Sequence, residues 1–91
     1  MDVHHLVEMA NQIGQFYVAE PDQTQAQLDT ASHIRRFWDP RMRAALLRHL
    51  DDHAAEGLDP FVAEALRVHR ALVTPPPPSR PTASGPATKP K

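Results

Sequence analysis

The sequence predicts an all-α protein, a small bundle of three to four short helices with a disordered Pro-rich C-terminal tail. Apolar residues recur at three- and four-residue intervals through the first 73 residues, and no segment alternates long enough to form a strand. Seven of the ten prolines lie in 74–91, where alanine is the sole apolar residue type. We therefore divide the chain into a helical domain, 1–73, and a disordered tail, 74–91.

The first predicted helix covers residues 3–20. Asp2 is its expected N-cap, and Pro21 ends it because proline disfavours helical geometry at the residue before it and lacks an N–H. Met9 and Phe16 widen its apolar stripe beyond what one neighbouring helix would cover. The stripe itself consists of Val3, Leu6, Val7, Ala10, Ile13, Gly14 and Tyr17.

Three further helices are predicted, over residues 24–37, 40–55 and 60–73. Asp22 or Thr24 caps the first of these. Asp-Pro pairs at 39–40 and 59–60 begin the other two, since a capping carboxylate followed by proline is a typical helix start. Gly57 is placed to adopt the left-handed conformation that ends a helix.

The inward faces of these helices carry mostly aliphatic residues. On the second they are Leu28, Ala31, Ile34 and Trp38; on the third, Met42, Ala45, Leu46, His49, Leu50 and His53; on the fourth, Val62, Ala65, Leu66, His69 and Leu72. A core this small seldom supplies more than about 3–5 kcal/mol. Because the chain has no cysteine, neither disulfides nor thiolate zinc sites can reinforce it. We expect a partner chain to do so.

An arginine cluster lies at the centre of the sequence. It interleaves with Phe37 and Trp38 and consists of Arg35, Arg36, Arg41, Arg43 and Arg48. Arginine and aromatic side chains are common both in protein interfaces and in nucleic-acid sites. The domain carries seven arginines, no lysine and eleven acidic residues, a net charge of −4, which favours a protein partner over nucleic acid. A small nucleic-acid-binding regulator stays the alternative function.

His49 and His53 are the residues most suggestive of a metal site. They lie four residues apart on one helix, with Asp52 between them, and resemble an inverted zincin motif. A catalytic zinc needs a third protein ligand and a cleft, and both histidines lie on an apolar stripe. We therefore predict core or interface histidines, with no catalytic, cofactor-binding or metal-binding residues in the chain, and keep a metal-dependent switch as an alternative.

Gly14 interrupts the first helix next to two amides. An interior glycine costs a helix about 1 kcal/mol, so the close approach of another backbone is one explanation and simple tolerance the other. Asn11 and Gln12 can hydrogen-bond foreign backbone groups. These residues join the predicted partner-binding set.

Three segments together resemble one family. They are the runs from Met9 to Phe16, from His33 to Arg43 and from Gly57 to Pro60. The chain is similar, over about residues 1–73, to the delta subunit of the soluble, NAD-dependent, molybdenum-containing formate dehydrogenases of bacteria. The Phe-Trp-Asp-Pro-Arg-Met-Arg string within the second run is the most specific part of the resemblance.

The resemblance implies a non-catalytic accessory subunit that supports assembly, cofactor loading or stability of the catalytic (alpha) subunit. It implies a complex that holds molybdopterin guanine dinucleotide, iron–sulfur clusters and FMN, with flavin and iron–sulfur subunits as further partners. The chain itself would bind no cofactor and no nucleic acid. No apolar run is long enough for a signal peptide or a membrane span, so we expect a cytoplasmic protein.

The predicted interface combines aromatic anchors with charged neighbours. Phe37 and Trp38 would anchor the contact, so Trp38→Ala is expected to weaken binding of the catalytic subunit and to leave helicity largely intact. The full predicted partner-binding set is Asn11, Gln12, Gly14, Phe16, Arg35, Arg36, Phe37, Trp38, Asp39, Pro40, Arg41, Met42 and Arg43.

Overall fold

A computed structural model describes residues 2–76 of the chain as a bundle of helices. They are α1 (Val3–Tyr17), α2 (Gln23–Phe37), α3 (Pro40–Asp52), α4 (Pro60–Val68) and the single-turn α5 (Arg70–Val73). Within residues 2–76 there is no strand, which confirms the predicted all-α class. The predicted tail lies outside the described residues from 77 onward.

Helix α2 lies at the centre of the bundle, packed against α1, α4 and α5. Helix α1 also contacts α3 and α4. The core between these helices is built from small and aliphatic side chains, of which Ile34, Leu46, Leu66 and Val62 are fully buried. Each occupies a position where the helical periodicity predicts burial.

The N-terminal caps follow the predicted residues. The Asp2 carboxylate accepts a hydrogen bond from the backbone N–H of His4, Asp22 from that of Gln25, and Asp39 from that of Met42, at 3.0–3.1 Å. Asp59 precedes Pro60 as predicted, but its side chain makes no capping hydrogen bond. The backbone N–H of Asp59 instead donates a hydrogen bond to the side-chain oxygen of Asn11 on α1.

Two of the predicted helices extend too far at their C-terminal ends. Helix α1 stops at Tyr17, ahead of a turn in which the backbone N–H of Glu20 donates to Tyr17. Helix α3 stops at Asp52 because Ala54 and Ala55 already adopt positive φ angles of 52° and 59°. Gly57 does adopt the predicted left-handed conformation, with φ of 85°.

The predicted fourth helix is divided in two at His69. This residue leaves helical geometry, with φ −109° and ψ 33°, and starts a new turn in which the N–H groups of Leu72 and Val73 donate to its carbonyl. The break turns α5 onto α2, where Val73 is fully buried. No helix within residues 2–76 is long and apolar enough to cross a membrane.

Candidate protein-binding surface

Phe37 and Trp38 are neighbours at the end of α2, but one side chain is exposed and the other is buried. Trp38 is the C-cap residue, and its side chain is 5% exposed within the core. Phe37 is 68% exposed. A step of one residue turns a helix by about 100°, so the two neighbouring rings cannot share one environment.

Exposed Phe37 belongs to a row of rings that we call the aromatic face. It consists of Phe16, Tyr17, His33 and Phe37. The ring centroids are 4.9 Å apart between Phe16 and Tyr17, 6.1 Å between Tyr17 and His33, and 4.7 Å between His33 and Phe37. Phe16 is 77% exposed, so the row ends on a ring that the rest of the bundle leaves in water.

A groove of about 390 Å³ adjoins the aromatic face. His33 and Phe37 belong to both, and Trp38 is the buried ring beneath it. Its remaining lining comes from Met9, Gln12 and Ile13 of α1 and Met42 of α3. The structure thus joins five members of the predicted partner-binding set, Gln12, Phe16, Phe37, Trp38 and Met42, into one continuous surface.

The five clustered arginines do not form one surface. Arg35 donates to the backbone carbonyl of Leu72 at 3.2 Å, and Arg43, which is buried, donates to that of Val73 at 3.3 Å. Both bonds satisfy carbonyl groups at the C-terminal end of α5, which have no partner within the helix. Arg36 stays exposed, with its guanidinium carbon 5.7 Å from the Phe37 ring centroid, a cation–π distance.

Asn11 and Gly14 make their contacts within the chain. The Asn11 amide nitrogen donates to the carbonyl of Gly57 at 2.9 Å, and its amide oxygen accepts from the N–H of Asp59 at 2.8 Å. Gly14 is buried against Val62 of α4, whose side chain occupies the space that a Cβ on Gly14 would need. The close approach at Gly14 is therefore made by this chain's own α4.

The remaining members of the predicted set, Asp39, Pro40 and Arg41, are all exposed around the start of α3. Asp39 is used as the N-cap of α3, while Pro40 and Arg41 are exposed at the start of that helix. Arg41 faces a different depression, which we call the α3 cavity. The other polar residues that line this cavity are Arg48, His49 and His53.

His49 occupies a structural position. It is 6% exposed, and its Nε2 lies 2.6 Å from the carbonyl oxygen of Glu56. Its ring stacks on that of His53, which is exposed, at 5.4 Å between centroids. His49 is therefore a core histidine, as one of the two predicted roles requires, whereas His53 lies outside the core and its prediction as an interface residue stays a prediction.

Two carboxyl groups away from the aromatic face have shifted pKa values. Arg70 binds Asp51 through two hydrogen bonds of 2.8 and 2.6 Å, which lowers the pKa of that carboxyl below its usual value. A hydrogen bond with Asp29 raises the pKa of the Glu20 carboxyl, and burial and the nearby negative charges add to the effect. The first pair links α5 to α3.

Tyr17 and His33 belong to the surface but were not assigned to it from the sequence. Tyr17 fits the apolar stripe of α1, which predicts burial, yet it is only partly buried. His33 precedes Phe37 by four residues and so lies on the same side of α2. That spacing is the signal through which His33 could have been found.

The fold and this surface define a class of protein, the small helical domains that leave an aromatic face uncovered. No group of three or more potential metal-ligating side chains comes together within residues 2–76. The family model for the NADH-dependent formate dehydrogenase delta subunit, FdsD, matches residues 5–66, and the chain belongs to this family. No curated protein and no solved structure is similar enough to the chain to add a further relative.

Proposed function

We propose that this chain is a non-catalytic accessory subunit of an NAD-dependent molybdenum formate dehydrogenase, and that it binds the catalytic subunit through the aromatic face and the adjoining groove. The exposure of Phe16 and Phe37 carries the proposal. Aromatic rings and arginine are among the side chains that are enriched in protein interfaces. Membership of a delta-subunit family supplies the enzyme to which the partner belongs.

The surface has the layout of an interface with anchors and a receiving groove. Phe16 and Phe37 project as anchors, whereas the groove above Trp38 can accept an apolar side chain of the partner. Arg36 keeps its charge at the rim, and Gln12 adds an exposed amide for backbone groups of the partner. Such a surface supports contact with a protein partner.

The redox groups of the complex belong, in this proposal, to the other subunits. The complex is expected to hold molybdopterin guanine dinucleotide, iron–sulfur clusters and FMN. This chain has no cysteine to ligate an iron–sulfur cluster, and its described residues assemble no metal-ligand set. We therefore assign to it the support of assembly, cofactor loading or stability of the catalytic subunit in the cytoplasm.

The division of the arginines weakens the nucleic-acid alternative. Arg35 and Arg43 are occupied by the carbonyl groups of α5, so the cluster does not present five free guanidinium groups to a phosphate backbone.

The test removes the anchors while the fold is kept. Full-length chain carrying Phe16→Ala and Phe37→Ala is co-expressed with the other subunits of the complex, and the amount of catalytic subunit that co-purifies is measured. We expect each truncation to weaken binding at least about tenfold, as for interface hot spots. Val68→Ala is the matched control, because Val68 is also an exposed apolar residue, 54% accessible, but lies on α4.

Two results would decide against the proposal. One is undiminished co-purification of the double variant, which would place the contact elsewhere. The other is an equal loss with Val68→Ala, which would indicate a general effect of surface hydrophobicity. Circular dichroism of each purified variant separates lost binding from lost folding, since truncation of exposed side chains should leave the helical signal unchanged.

A further inference from the structure

The α3 cavity combines positive charge with an apolar wall. It has a volume of about 480 Å³. Arg41 and Arg48 lie seven residues apart, two turns along the same side of α3, with Cα atoms about 10 Å apart at 1.5 Å of rise per residue. Ala44, Ala45 and Val3 form the apolar part of the lining, and the two alanines leave open the space between the guanidinium groups.

No carboxylate lines this cavity. Within residues 2–76, neither Arg41 nor Arg48 forms a salt bridge or a hydrogen bond, in contrast with Arg70, which is bound to Asp51. The helical domain contains more acidic residues than arginines. Carboxylates are therefore abundant in the domain, yet none is paired with these two arginines within residues 2–76. Their charge is available to a ligand.

His49 adds a buried polar atom to the same lining. Its Nε2 lies next to a carbonyl oxygen, which can only accept, so Nε2 carries a proton that it donates. Its Nδ1 is buried and has no hydrogen-bond partner among the described residues. With the proton on Nε2, Nδ1 can only accept a hydrogen bond, so it fits a hydroxyl group or a protonated oxygen of a ligand and not a bare anionic oxygen.

We propose that the α3 cavity is a binding site for a small phosphate ester. Arginine forks match phosphate oxygens in pairs, and two of them suit a doubly charged group. The alanine and valine side chains can contact the organic group of a phosphate ester, which inorganic phosphate lacks. The volume falls in the range of small-molecule sites, roughly 300–1,000 Å³.

This site is independent of the proposed protein interface. Its lining shares no residue with the aromatic face or with the groove. Loss of ligand binding in the α3 cavity and loss of the catalytic subunit are therefore separate outcomes, measured on separate variants.

The experiment titrates isotopically labelled full-length chain with three probes and follows the backbone amide signals by NMR. Phenyl phosphate combines the two expected features, inorganic phosphate lacks the organic body, and benzoate carries a single negative charge. We expect saturable shifts along α3 and at Val3, with phenyl phosphate binding more tightly than either of the other probes. The shifts should weaken as salt is added, since the attraction is between charges.

Arg41→Gln and Arg48→Gln are the test variants. Glutamine keeps the helix propensity of arginine and removes its charge, and both residues are exposed, so the fold should be kept. Each should weaken binding of phenyl phosphate about tenfold, the value of a charge-assisted hydrogen bond. Arg67→Gln on α4 is the matched control, because Arg67 is exposed and lines no part of the cavity, and it should bind as the unmodified chain does.

Several outcomes would overturn the proposal. Absence of saturable binding, or equal binding by Arg41→Gln, Arg48→Gln and Arg67→Gln, would remove the site. Equal affinity for inorganic phosphate and phenyl phosphate would contradict the role of the apolar wall. Equal affinity for benzoate and phenyl phosphate would contradict the role of the double charge.

Discussion

The aromatic face and the C-terminal end of α5, which we call the α5 end, both include arginines that follow one another closely in the sequence, but these arginines make different contacts. At the α5 end, Arg35 and Arg43 bind the carbonyl groups that close α5, and both bonds stay within the chain. On the aromatic face, Arg36 contacts only the ring of Phe37, and that ring is largely in water.

The difference follows from what folding itself requires. The last carbonyl groups of a helix have no partner inside it, so a helix end that packs into the bundle needs donors from elsewhere. The exposed rings of Phe16 and Phe37 meet no such need, and leaving them in water forgoes about 1.5–3 kcal/mol of burial for each. The α5 end is therefore explained by folding, whereas the exposure of the aromatic face is not, and this difference supports the proposed contact with a partner.

The largest expected effect comes from Trp38→Ala. Truncation of a buried Trp typically costs about 3–5 kcal/mol, which equals the whole stability of a core this small. We expect the isolated variant to lose most of its helical circular dichroism signal and its cooperative thermal transition. This corrects the expectation from sequence that helicity would survive, because Trp38 is 5% exposed.

Phe37→Ala is the neighbouring control for that measurement. It removes a ring that is 68% exposed, so the free energy of unfolding should change by no more than about 0.5 kcal/mol. Similar losses of stability in the Trp38 and Phe37 variants would contradict the assignment of Trp38 to the core and Phe37 to the surface.

Gly14→Ala is expected to have the next largest effect. Alanine gains about 1 kcal/mol of helix propensity over glycine, but its Cβ meets the fully buried Val62, a stiff side chain that cannot turn aside. Overpacking costs about 1–3 kcal/mol, so a net destabilisation of up to about 2 kcal/mol is expected in urea unfolding.

A second variant shows whether Val62 is the cause. Val62→Ala clears the space, so adding Gly14→Ala to it should no longer destabilise the chain and should recover the propensity gain. If the double variant is less stable than Val62→Ala alone, the close approach of α1 and α4 does not explain the glycine.

The helices were predictable from the sequence because their signals are local. Asp2, Asp22 and Asp39 each cap the helix that follows, and the periodicity identified most of the core. The break at His69 was not predictable in this way. It depends on α5 packing against α2, a tertiary contact that leaves no mark in the local apolar pattern.

The candidate site was predictable in part. Aromatic and arginine content indicated the segment that contains Phe37 and Trp38, but not which of its side chains point outward. Trp38 lies in the core and Arg43 is buried with its side chain bound to Val73 of α5, while Phe37 lies one residue from Trp38 on the surface. Asn11 forms hydrogen bonds with the backbone of Gly57 and Asp59. Helical periodicity relates only residues that are close in sequence, so it could not predict these contacts.

The smallest effect is expected from Asp51→Asn, which removes the ion pair that ties α5 to α3. Arg70 lowers the pKa of Asp51 in the folded chain, so the unfolded chain takes up this proton at higher pH than the folded one. The pair therefore stabilises the fold above the ordinary pKa of 3.8, and that stability is lost as pH falls through the lower folded value.

Urea midpoints near pH 7 and near pH 3 measure this contribution. Asp51→Asn should lower the midpoint slightly near neutrality and should lose less stability than the unmodified chain on acidification. Asp52→Asn is the control, because that exposed neighbour forms no ion pair within residues 2–76. An identical acid dependence in both variants would mean that the α5 end is held by Arg35, Arg43 and the buried Val73 alone, and that its exposed ion pair contributes nothing.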